Sequence, residues 1–267
     1  MLIRKPYAAG SFYPSDPAVL REFCKTHLTE SSSKRKAKAI ILPHAGYQYS
    51  GETACRVLSQ IVIPDKILFI GPNHRSKGNE FAIYSEGEWE TPLGSSAIAS
   101  EIASALMKNS PDLQKDEHAH YAEHSLEVLL PFFQYLNPKL QIIPILIGSV
   151  DYEWAAEVAA GIGKAAAGRT DTLVVISNDM SHYYSDSVAR EKDRYALDAI
   201  LKLSADELAA QAAAHAISMC GIVPVTMLLK IKDLLGITKA ALVDYRTSAD
   251  ATGEKDRVVG YAGFIFE

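Results

Sequence analysis

The chain contains a short apolar run that stops abruptly, Ala39-Ile40-Ile41-Leu42-Pro43-His44-Ala45-Gly46-Tyr47. An apolar run of this length that ends in turn residues is typical of a buried β-strand. Ligands of open α/β sheets lie at the carboxyl ends of such strands. The run therefore predicts a core strand that delivers His44 into a cleft. Taken alone, His44 is equally well interpreted as a hydrogen-bonded surface histidine.

The same pattern occurs twice more along the chain. The apolar run 66–71 leads into His74, and the run 172–177 leads into Asp179 and His182. Strands of a doubly wound sheet are mostly parallel and share one carboxyl-end edge. We therefore expect these side chains to converge with the first histidine in one cleft, although they lie far apart in the sequence.

The remaining patterns predict an α/β protein with a mostly parallel or mixed central sheet and helices on both faces. A length of 267 residues, 48% hydrophobic content and a mean hydropathy near zero are compatible with one domain over residues 1–267, with two small domains as the alternative. Helices are predicted at about 17–29, 51–60, 95–108, 126–136, 151–167, 188–203, 205–214 and 223–235, and further strands at about 81–84, 140–148, 240–245 and 258–266.

Prolines give more local predictions. Pro17 after Asp16 offers a first-turn proline and a cap for the first helix. Pro131 predicts a kink or break in the helix around it. Pro144 lies inside an apolar run and predicts an edge strand or a bulge, because proline cannot donate a ladder hydrogen bond. Residues 89–94 are predicted to form a loop.

Charge and composition exclude several classes of function. The net charge of −5 and the pI near 5.9 give no general attraction to phosphate backbones, and the basic run 34–38 is short. Nucleic-acid binding is therefore not expected. Cys24, Cys55 and Cys220 are an odd number without paired spacing, which favours a reducing cytoplasm over a disulfide framework. Neither a signal peptide nor a membrane span is indicated.

The expected cleft has the chemistry of a metal site. Two neutral imidazoles and one anion can hold a divalent transition metal with open coordination positions, as in non-haem iron enzymes, whereas tetrahedral versions suit zinc. The anionic ligand is then Asp179, Cys220, Glu117 or Glu123.

Seven ordered motifs between residues 8 and 266 resemble those of the Memo family, which is similar in fold to the LigB-type class III extradiol ring-cleaving dioxygenases. Together they are far more specific than any one of them. The motifs are Pro43-His44-Ala45-Gly46-Tyr47, Gly71-Pro72-Asn73-His74, Thr91-Pro92-Leu93, Glu123-His124-Ser125 with the helix to Pro131, Ile142–Gly148, Ser177–His182 and Cys220-Gly221.

The resemblance implies roles for individual residues. His44, His74 and Cys220 match the family's metal positions, and Asp179 and His182 match its neighbouring acid/base pair. The related dioxygenases have a glutamate at the third ligand position, where Memo-like chains and this one have cysteine. A thiolate is softer than a carboxylate, so iron(II) or copper is expected, with zinc as the alternative.

Other residues near these motifs have competing interpretations. Tyr47, Glu123 and His124 are predicted to line the substrate pocket, although an acid-His-Ser sequence that opens a helix can also be a capping element. Without the family, Cys220 would be a small buried core residue, and an aspartate before a turn, such as Asp179, could be only a helix cap. Two further histidines, His118 and His120, are expected to be solvated and not to bind metal.

The leading functional hypothesis is a metal-dependent redox enzyme related to extradiol dioxygenases, in which His182 moves a proton and Asp179 orients it or tunes its pKa. A zinc hydrolase with His182 as general base is a second hypothesis. A third is a binding module for a small molecule or (phospho)peptide. Microbial Memo-like proteins resemble one component of a system with a radical-SAM protein and an AMMECR-type protein, so both are possible partners. The sequence leaves the substrate and the oligomeric state open.

Overall fold

A mixed sheet of nine strands runs through the structure, a computed structural model that describes residues 2–29 and 33–267. Its strands and those of a smaller sheet are β1 (Ile3–Arg4), β2 (Ala39–Leu42), β3 (Lys66–Pro72), β4 (Phe81–Ile83), β5 (Glu88–Thr91), β6 (Gly94–Ala97), β7 (Gln114–Lys115), β8 (Gln141–Ile147), β9 (Thr172–Ser177), β10 (His182–Tyr184), β11 (Ala240–Thr247) and β12 (Val258–Phe266).

Helices cover both faces of the large sheet, as predicted. They are α1 (Pro17–His27), α2 (Tyr47–Leu58), α3 (Ser100–Asn109), α4 (Leu130–Leu136), α5 (Tyr152–Ala166), α6 (Asp186–Leu201), α7 (Ala205–Ala214), α8 (Ile222–Lys230) and α9 (Ala249–Thr252), with a 3-10 turn at His118–His120. No helix in the described part of the chain is long and apolar enough to cross a bilayer.

Four parallel strands form the centre of the large sheet. The strand order is β10-β12-β2-β9-β3-β8-β4-β7, and β11 also pairs with β12. β2, β9, β3 and β8 run parallel, whereas β12 is antiparallel to β2 and β4 is antiparallel to β8. The sheet is therefore mixed with a parallel core, which confirms the predicted single-domain α/β class.

Alternating side chains of the central strands build two separate cores. Ile41 and Ile176 pack with α3 and α5 to α8 on one face. Ile40 and Val175 pack with α1, α2 and α4 on the other face. Because both faces are covered, the central strands are apolar at successive positions apart from polar end residues such as Lys66, Gln141 and Ser177, which is why their sequences contain continuous hydrophobic runs.

The small sheet corrects one predicted loop and part of one helix. β5 and β6 form an antiparallel hairpin, with β1 parallel to β5, where residues 89–94 were expected to be a loop. The following helix begins at Ser100 and not at Ser95. Trp89 and Thr91 are buried while Glu88 and Glu90 are partly exposed, so the segment has the period-2 pattern of a strand.

The prediction for Pro144 was wrong, whereas the interruption predicted at Pro131 coincides with the start of a helix. Pro144 lies in the interior strand β8, paired with Phe69 of β3, and its carbonyl oxygen accepts from Tyr84 N at 3.0 Å. The N–H and C=O of one residue point to the same side of a strand. The N–H that Pro144 lacks would therefore face Tyr84, just beyond the end of β4 at Ile83, and its absence breaks no hydrogen bond between the two strands. Pro131 lies in the first turn of α4, where its missing N–H has no intrahelical partner. The helix predicted over 126–136 therefore begins only at Leu130, after a turn over residues 125–129.

The third proline prediction is confirmed. α1 begins at Pro17, and the Asp16 carboxylate accepts hydrogen bonds from the backbone N–H groups of Ala18 and Val19. The cap satisfies donors that the first turn leaves without intrahelical partners.

Candidate metal centre

The predicted functional residues follow the carboxyl ends of three neighbouring parallel strands. His44 lies two residues after β2, His74 two residues after β3, and Asp179 two residues after β9. β9 lies between β2 and β3 in register with both, so the three chain segments leave the sheet side by side. The side chains converge because the strands are parallel and adjacent, as the sequence predicted.

Three histidines form a group that could hold a metal ion. One ring nitrogen from each of His44, His74 and His124 lies within 4.8 Å of the other two. The ring centroids are 5.2 Å apart for His44 and His74, 5.5 Å for His44 and His124, and 4.7 Å for His74 and His124. Zinc–imidazole bonds of about 2.0 to 2.1 Å place two ligand nitrogens about 3 to 4 Å apart, so small side-chain movements suffice.

A serine fixes the tautomer of His44. The Ser177 hydroxyl donates to the backbone carbonyl oxygen of Ser125 at 2.6 Å, so its oxygen is left to accept from His44 Nδ1–H at 2.7 Å. The neutral ring therefore has its lone pair on Nε2. Hydrogen bonding of one ring nitrogen is the usual way in which a protein orients the other toward a metal.

A carboxylate does the same for His74. Glu123 Oε1 lies 2.9 Å from His74 Nδ1, and the Glu123 carboxylate also accepts from the backbone N–H groups of His74, His124 and Ser125. Burial alone would raise the pKa of Glu123, but the hydrogen bond and charge of His74 and these further contacts lower it to about 2. When the His74 ring is neutral, as in a metal ligand, this acceptor holds the proton on Nδ1 and leaves Nε2 as the lone pair.

The surroundings of His44 and His124 favour neutral imidazoles. Burial, and then the neighbouring His74, lowers the pKa of His44 to about 3. Burial and the neighbouring His44 lower the pKa of His124 to about 4. His124 also stacks on Phe12 with ring centroids 4.4 Å apart, and its buried Nδ1 has no hydrogen-bond partner among the described residues. Neutral imidazoles are the form that binds metal, so the donor set fits such an ion.

Cys220 and Asp179 lie beside the histidine group. Cys220 Sγ is 3.5 Å from His44 Nε2, and Asp179 Oδ2 is 3.9 Å from the same nitrogen. Asp179 Oδ1 accepts from the His44 backbone N–H at 2.8 Å, and Cys220 Sγ accepts from the Asp179 backbone N–H at 3.2 Å. Cys220 is not part of the three-histidine group, but it contacts one member of it.

Burial favours the neutral form of both potential anions. Burial, followed by the charge of Asp179, raises the pKa of Cys220 well above its usual range. Burial also raises the pKa of Asp179, against the lowering effect of His182 and of the His44 backbone hydrogen bond. A cation in contact with either group would reverse this preference.

His182 is held so that one ring nitrogen can exchange a proton. Its Nδ1 lies 2.9 Å from the Ser218 carbonyl oxygen, and its backbone N–H donates to the Ser218 hydroxyl at 2.8 Å. A carbonyl oxygen can only accept, so Nδ1 carries the proton and Nε2 of the neutral ring is the lone pair. The ring lines the same cleft as His44, His74, His124, Asp179 and Cys220, which has a volume of about 790 Å³.

Two of the predicted substrate-pocket residues do not line this cleft, and their role stays a prediction. Tyr47 is buried, its hydroxyl donates to the Val128 carbonyl oxygen at 3.0 Å, and its ring stacks on Phe132 at 4.3 Å. Glu123 contacts the site through His74. The third, His124, does line the cleft, and it joins the potential ligands themselves.

His118 and His120, which precede His124 in the sequence, lie outside the cleft. His118 is exposed as expected, but the expectation that His120 is solvated was wrong. The 3-10 turn points His120 inward, where it is 0% exposed and contacts the rings of Tyr84 and Trp89. Glu117, one of the four acids considered as anionic ligand, lies 3.7 Å from Lys115 Nζ.

Sequence reasoning missed His124 as a potential ligand because no apolar strand precedes it. The one available signal was its position next to Glu123, whose carboxylate binds His74 and thereby holds the two segments together. That contact joins residues 49 positions apart and has no signature in the local sequence.

Comparisons with known proteins agree with this architecture. The family model described as "Memo-like protein" matches residues 4–265. The chain is 42% identical over 268 residues to a MEMO1 family protein of Aquifex aeolicus, covering 100% of both chains. It is 38% identical over 275 residues to one of Methanothermobacter thermautotrophicus, covering 98% of this chain and 99% of the relative, and 35% identical over 278 residues to one of Methanopyrus kandleri, covering 98% of each. The strand ends, the histidines and this match over nearly its whole length agree, and the chain belongs to the Memo family.

Proposed function

We propose that the chain is a metal-dependent redox enzyme, related to the extradiol ring-cleaving dioxygenases, that binds iron(II) or copper at His44, His74 and His124. The observation that carries this proposal is the set of three imidazoles that line one cleft, two of them with Nδ1 held by a hydrogen bond. Imidazole suits iron, copper and zinc. When bound, such an ion supplies redox chemistry and a coordination position for a substrate oxygen.

The chain itself supplies proton transfer and orientation. His182 lines the cleft with a free Nε2, so we assign it the transfer of a proton to or from the substrate. Asp179 lines the same cleft, and we assign it the orientation of this proton transfer. Phe12 packs against His124 and excludes water from that side of the ring.

Cys220 is our choice for an anionic ligand, with Asp179 as the alternative. Both side chains lie within 4 Å of His44 Nε2. A thiolate favours softer metals, so Cys220→Ser should weaken copper and zinc affinity strongly, because a neutral hydroxyl has neither the charge nor the softness of sulfur. If Cys220→Ser held these metals as tightly as the parent while Asp179→Asn lost them, the anion would be Asp179.

Metal content after anaerobic purification tests the proposal most directly. We expect about one equivalent of iron or copper per chain in the parent protein, and a loss of most of it in His44→Ala, His74→Ala and His124→Ala. His118→Ala is the matched control and should retain the metal, because His118 is exposed outside the cleft. Equal metal content in all four variants would place the site elsewhere, and a parent that takes up no metal on reconstitution would contradict the proposal.

A zinc hydrolase is the second candidate, because three neutral imidazoles are also the ligand set of some catalytic zinc sites. In that case His182 would act as the general base. Stoichiometric zinc that iron(II) and copper do not displace under anaerobic conditions would favour this function over redox chemistry.

We further propose a cytoplasmic location and a small-molecule substrate, with radical-SAM and AMMECR-type proteins as possible partners. The location is supported by Cys24, Cys55 and Cys220, which are all free thiols, as in a reducing compartment. Co-purification of either partner protein with the tagged chain from its own cells would test the association.

A further inference from the structure

A second recess adjoins the metal cleft. It has a volume of about 610 Å³ and is lined by residues 10–14, Phe23 and residues 46–49; we call it the aromatic recess. It shares Phe12, Gly46 and Tyr49 with the metal cleft. A ligand in one space can therefore extend into the other, and the size is that of a small-molecule site.

None of the residues that line the aromatic recess is charged. Five of the ten are aromatic: Phe12, Tyr13, Phe23, Tyr47 and Tyr49. Two of the tyrosine hydroxyls are engaged inside the protein, since Tyr13 donates to Glu127 Oε1 at 2.7 Å and Tyr47 to a backbone carbonyl oxygen at 3.0 Å. The recess therefore offers rings and few polar groups. The Ser11 hydroxyl is also engaged, because it donates to the Ala8 carbonyl oxygen at 2.9 Å. The remaining polar side chains are the exposed Gln48 amide and the Tyr49 hydroxyl, neither of which has a side-chain hydrogen bond within residues 2–29 and 33–267.

A buried ion pair holds one wall of the aromatic recess in place. Glu127, 0% exposed, accepts from the backbone N–H groups of Tyr7 and Ala8 and from the Tyr13 hydroxyl, and Arg4 lies 2.7 Å from it. The backbone N–H of Tyr47 donates to the Phe12 carbonyl oxygen at 2.8 Å, which joins this wall to α2. A wall fixed by buried charged groups does not need to be ordered by the ligand, and such preorganisation lowers the cost of binding.

We propose that the aromatic recess binds an uncharged aromatic group of a small-molecule substrate whose polar, reacting end lies in the metal cleft, an assignment that rests on the proposed function. Aromatic side chains favour another ring in offset or edge-to-face contact. A charged group would lose its hydration there without gaining a partner of opposite charge. The ring serves to position the substrate and is not itself the group at the metal. Phe12, between the two spaces, is a positioning residue for both ends.

Three probes with the same ring test this assignment by NMR, with ligand-observed spectra for the affinities and protein-observed spectra for the location. Benzyl alcohol is neutral, benzoate is an anion and benzylammonium is a cation. We expect benzyl alcohol to bind at least about tenfold more tightly than either ion, because an unpaired charge is costly in the recess, and to shift side-chain resonances of Phe23 and Tyr47. Equal affinities for the three probes, or shifts confined to the metal cleft, would overturn the assignment.

Two variants locate the binding and test the charge. Ser11→Trp should fill the recess from an exposed position and reduce benzyl alcohol affinity at least about tenfold. Gln48→Glu adds a charge at nearly constant size and should raise the affinity for benzylammonium relative to benzyl alcohol about threefold or more. Gln114→Glu, the same change at an exposed glutamine of β7, is the control and should alter neither. If Ser11→Trp fails to fold, Gln48→Glu and the parent series still decide, and an unchanged probe preference in Gln48→Glu would contradict the assignment.

Two further measurements distinguish ring binding in the aromatic recess from metal binding in the cleft, and a small-molecule ligand from a peptide. Probe binding is measured with and without chelator, so a chain that binds benzyl alcohol but never a metal would refute the metal-dependent function and leave the recess assigned. A chain that holds metal but binds no neutral probe would refute the assignment of the aromatic recess and leave the metal-dependent function standing. N-acetylphenylalaninamide presents the ring as a peptide would, and tighter binding of it than of benzyl alcohol would assign the recess to a peptide and overturn the small-molecule substrate.

Discussion

Single hydrogen bonds decide which atoms of the site can bind a ligand. Ser177 and Glu123 each accept from the Nδ1–H of one histidine, so His44 and His74 present Nε2 to the cleft. His120 shows the opposite case: its buried ring nitrogens make no hydrogen bond of good geometry among the described residues, although the Ala82 backbone contacts the ring. His44 and His74 differ from His120 in function because their hydrogen-bond partners differ.

His120→Phe should stabilise the protein and change its dependence on pH. Phenylalanine removes two buried nitrogens, at least one of them without a hydrogen-bond partner among the described residues, so we expect a gain of about 1 to 3 kcal/mol at pH 7. Burial, and then Arg4, lowers the pKa of His120 to about 3, below its unfolded value of 6.5. His120 therefore makes no pH-dependent contribution above pH 6.5, and below it the parent loses stability as the pH falls toward 3, by up to about 1.4 kcal/mol per pH unit, because the unfolded chain takes up the proton first.

Urea unfolding of parent and His120→Phe between pH 7 and pH 4 measures this difference, which should grow as the pH falls. His118→Phe is the control and should follow the parent, because His118 is exposed. A His120→Phe variant that is less stable than the parent at pH 7 would show that the imidazole has a polar partner.

The sequence predicted some of these residues and not others for a physical reason. His44 and His74 each follow an apolar strand, and strand ends meet at one edge, so local pattern alone placed them together. His124 and His120 lie in a segment without apolar periodicity, and their orientation depends on contacts with Glu123 and with the Tyr84–Trp89 pair. Such contacts between distant segments leave no local pattern.

At the scale of elements, a helix and a strand fix the loop that carries Asp179 and His182. Asp193 of α6 is fully buried; its Oδ1 accepts from Ser181 N–H at 2.9 Å and its Oδ2 accepts from the Tyr245 hydroxyl of β11 at 2.7 Å. The loop between β9 and β10 is thereby held from behind the cleft. Its geometry depends on packing outside the cleft itself.

Asp193→Ala should destabilise the protein by about 2 to 4 kcal/mol, because it leaves a buried N–H and a tyrosine hydroxyl without their acceptor. Asp198→Ala, at an exposed position of the same helix, should change stability by less than about 0.5 kcal/mol. Chemical denaturation measures both. If the two variants lost equal stability, the Asp193 contacts would not be what anchors the loop.

Element prediction succeeded where hydrophobic runs were long and failed at Pro144 and at short strands. The parallel strands were recognised because burial on both faces makes them continuously apolar. Pro144 was wrongly assigned to an edge strand. The free-energy cost of a proline in a strand depends on whether a neighbouring strand faces its missing N–H, and here the neighbour β4 ends at Ile83. The hairpin of β5 and β6 is only four residues per strand, too short for a clear periodic signal.

At the scale of the whole molecule, the metal site links the ends of several strands, so metal binding should stabilise the entire fold. Zn²⁺ at about 100 times its Kd stabilises the native state by about 2.7 kcal/mol if it does not bind the unfolded chain. For a protein of this size we expect Tm to rise by roughly 5 to 10 °C after addition of Zn²⁺ to chelator-treated protein. Differential scanning calorimetry measures the shift. His118→Ala should shift as the parent does, and a similar shift in His44→Ala would mean that the ion binds elsewhere.

The fold class followed from the order of strands and helices, but strand direction did not. β4 and β12 have apolar runs like those of the parallel strands, yet both are antiparallel to their neighbours in the centre of the sheet. Direction is set by the path of the connecting chain, which no local pattern records.

The antiparallel pairing of β12 with β2 also determines when during folding the cleft can form. Ile41 pairs with Phe264, so the strand that leads to His44 is completed by residues from the far end of the described chain. Contacts of such long sequence separation require closure of a large loop and slow the folding reaction. Before β12 docks, β2 has an open edge that another chain can pair with. During refolding at high protein concentration, β2 can therefore pair with another chain and aggregate before the cleft around His44 has formed.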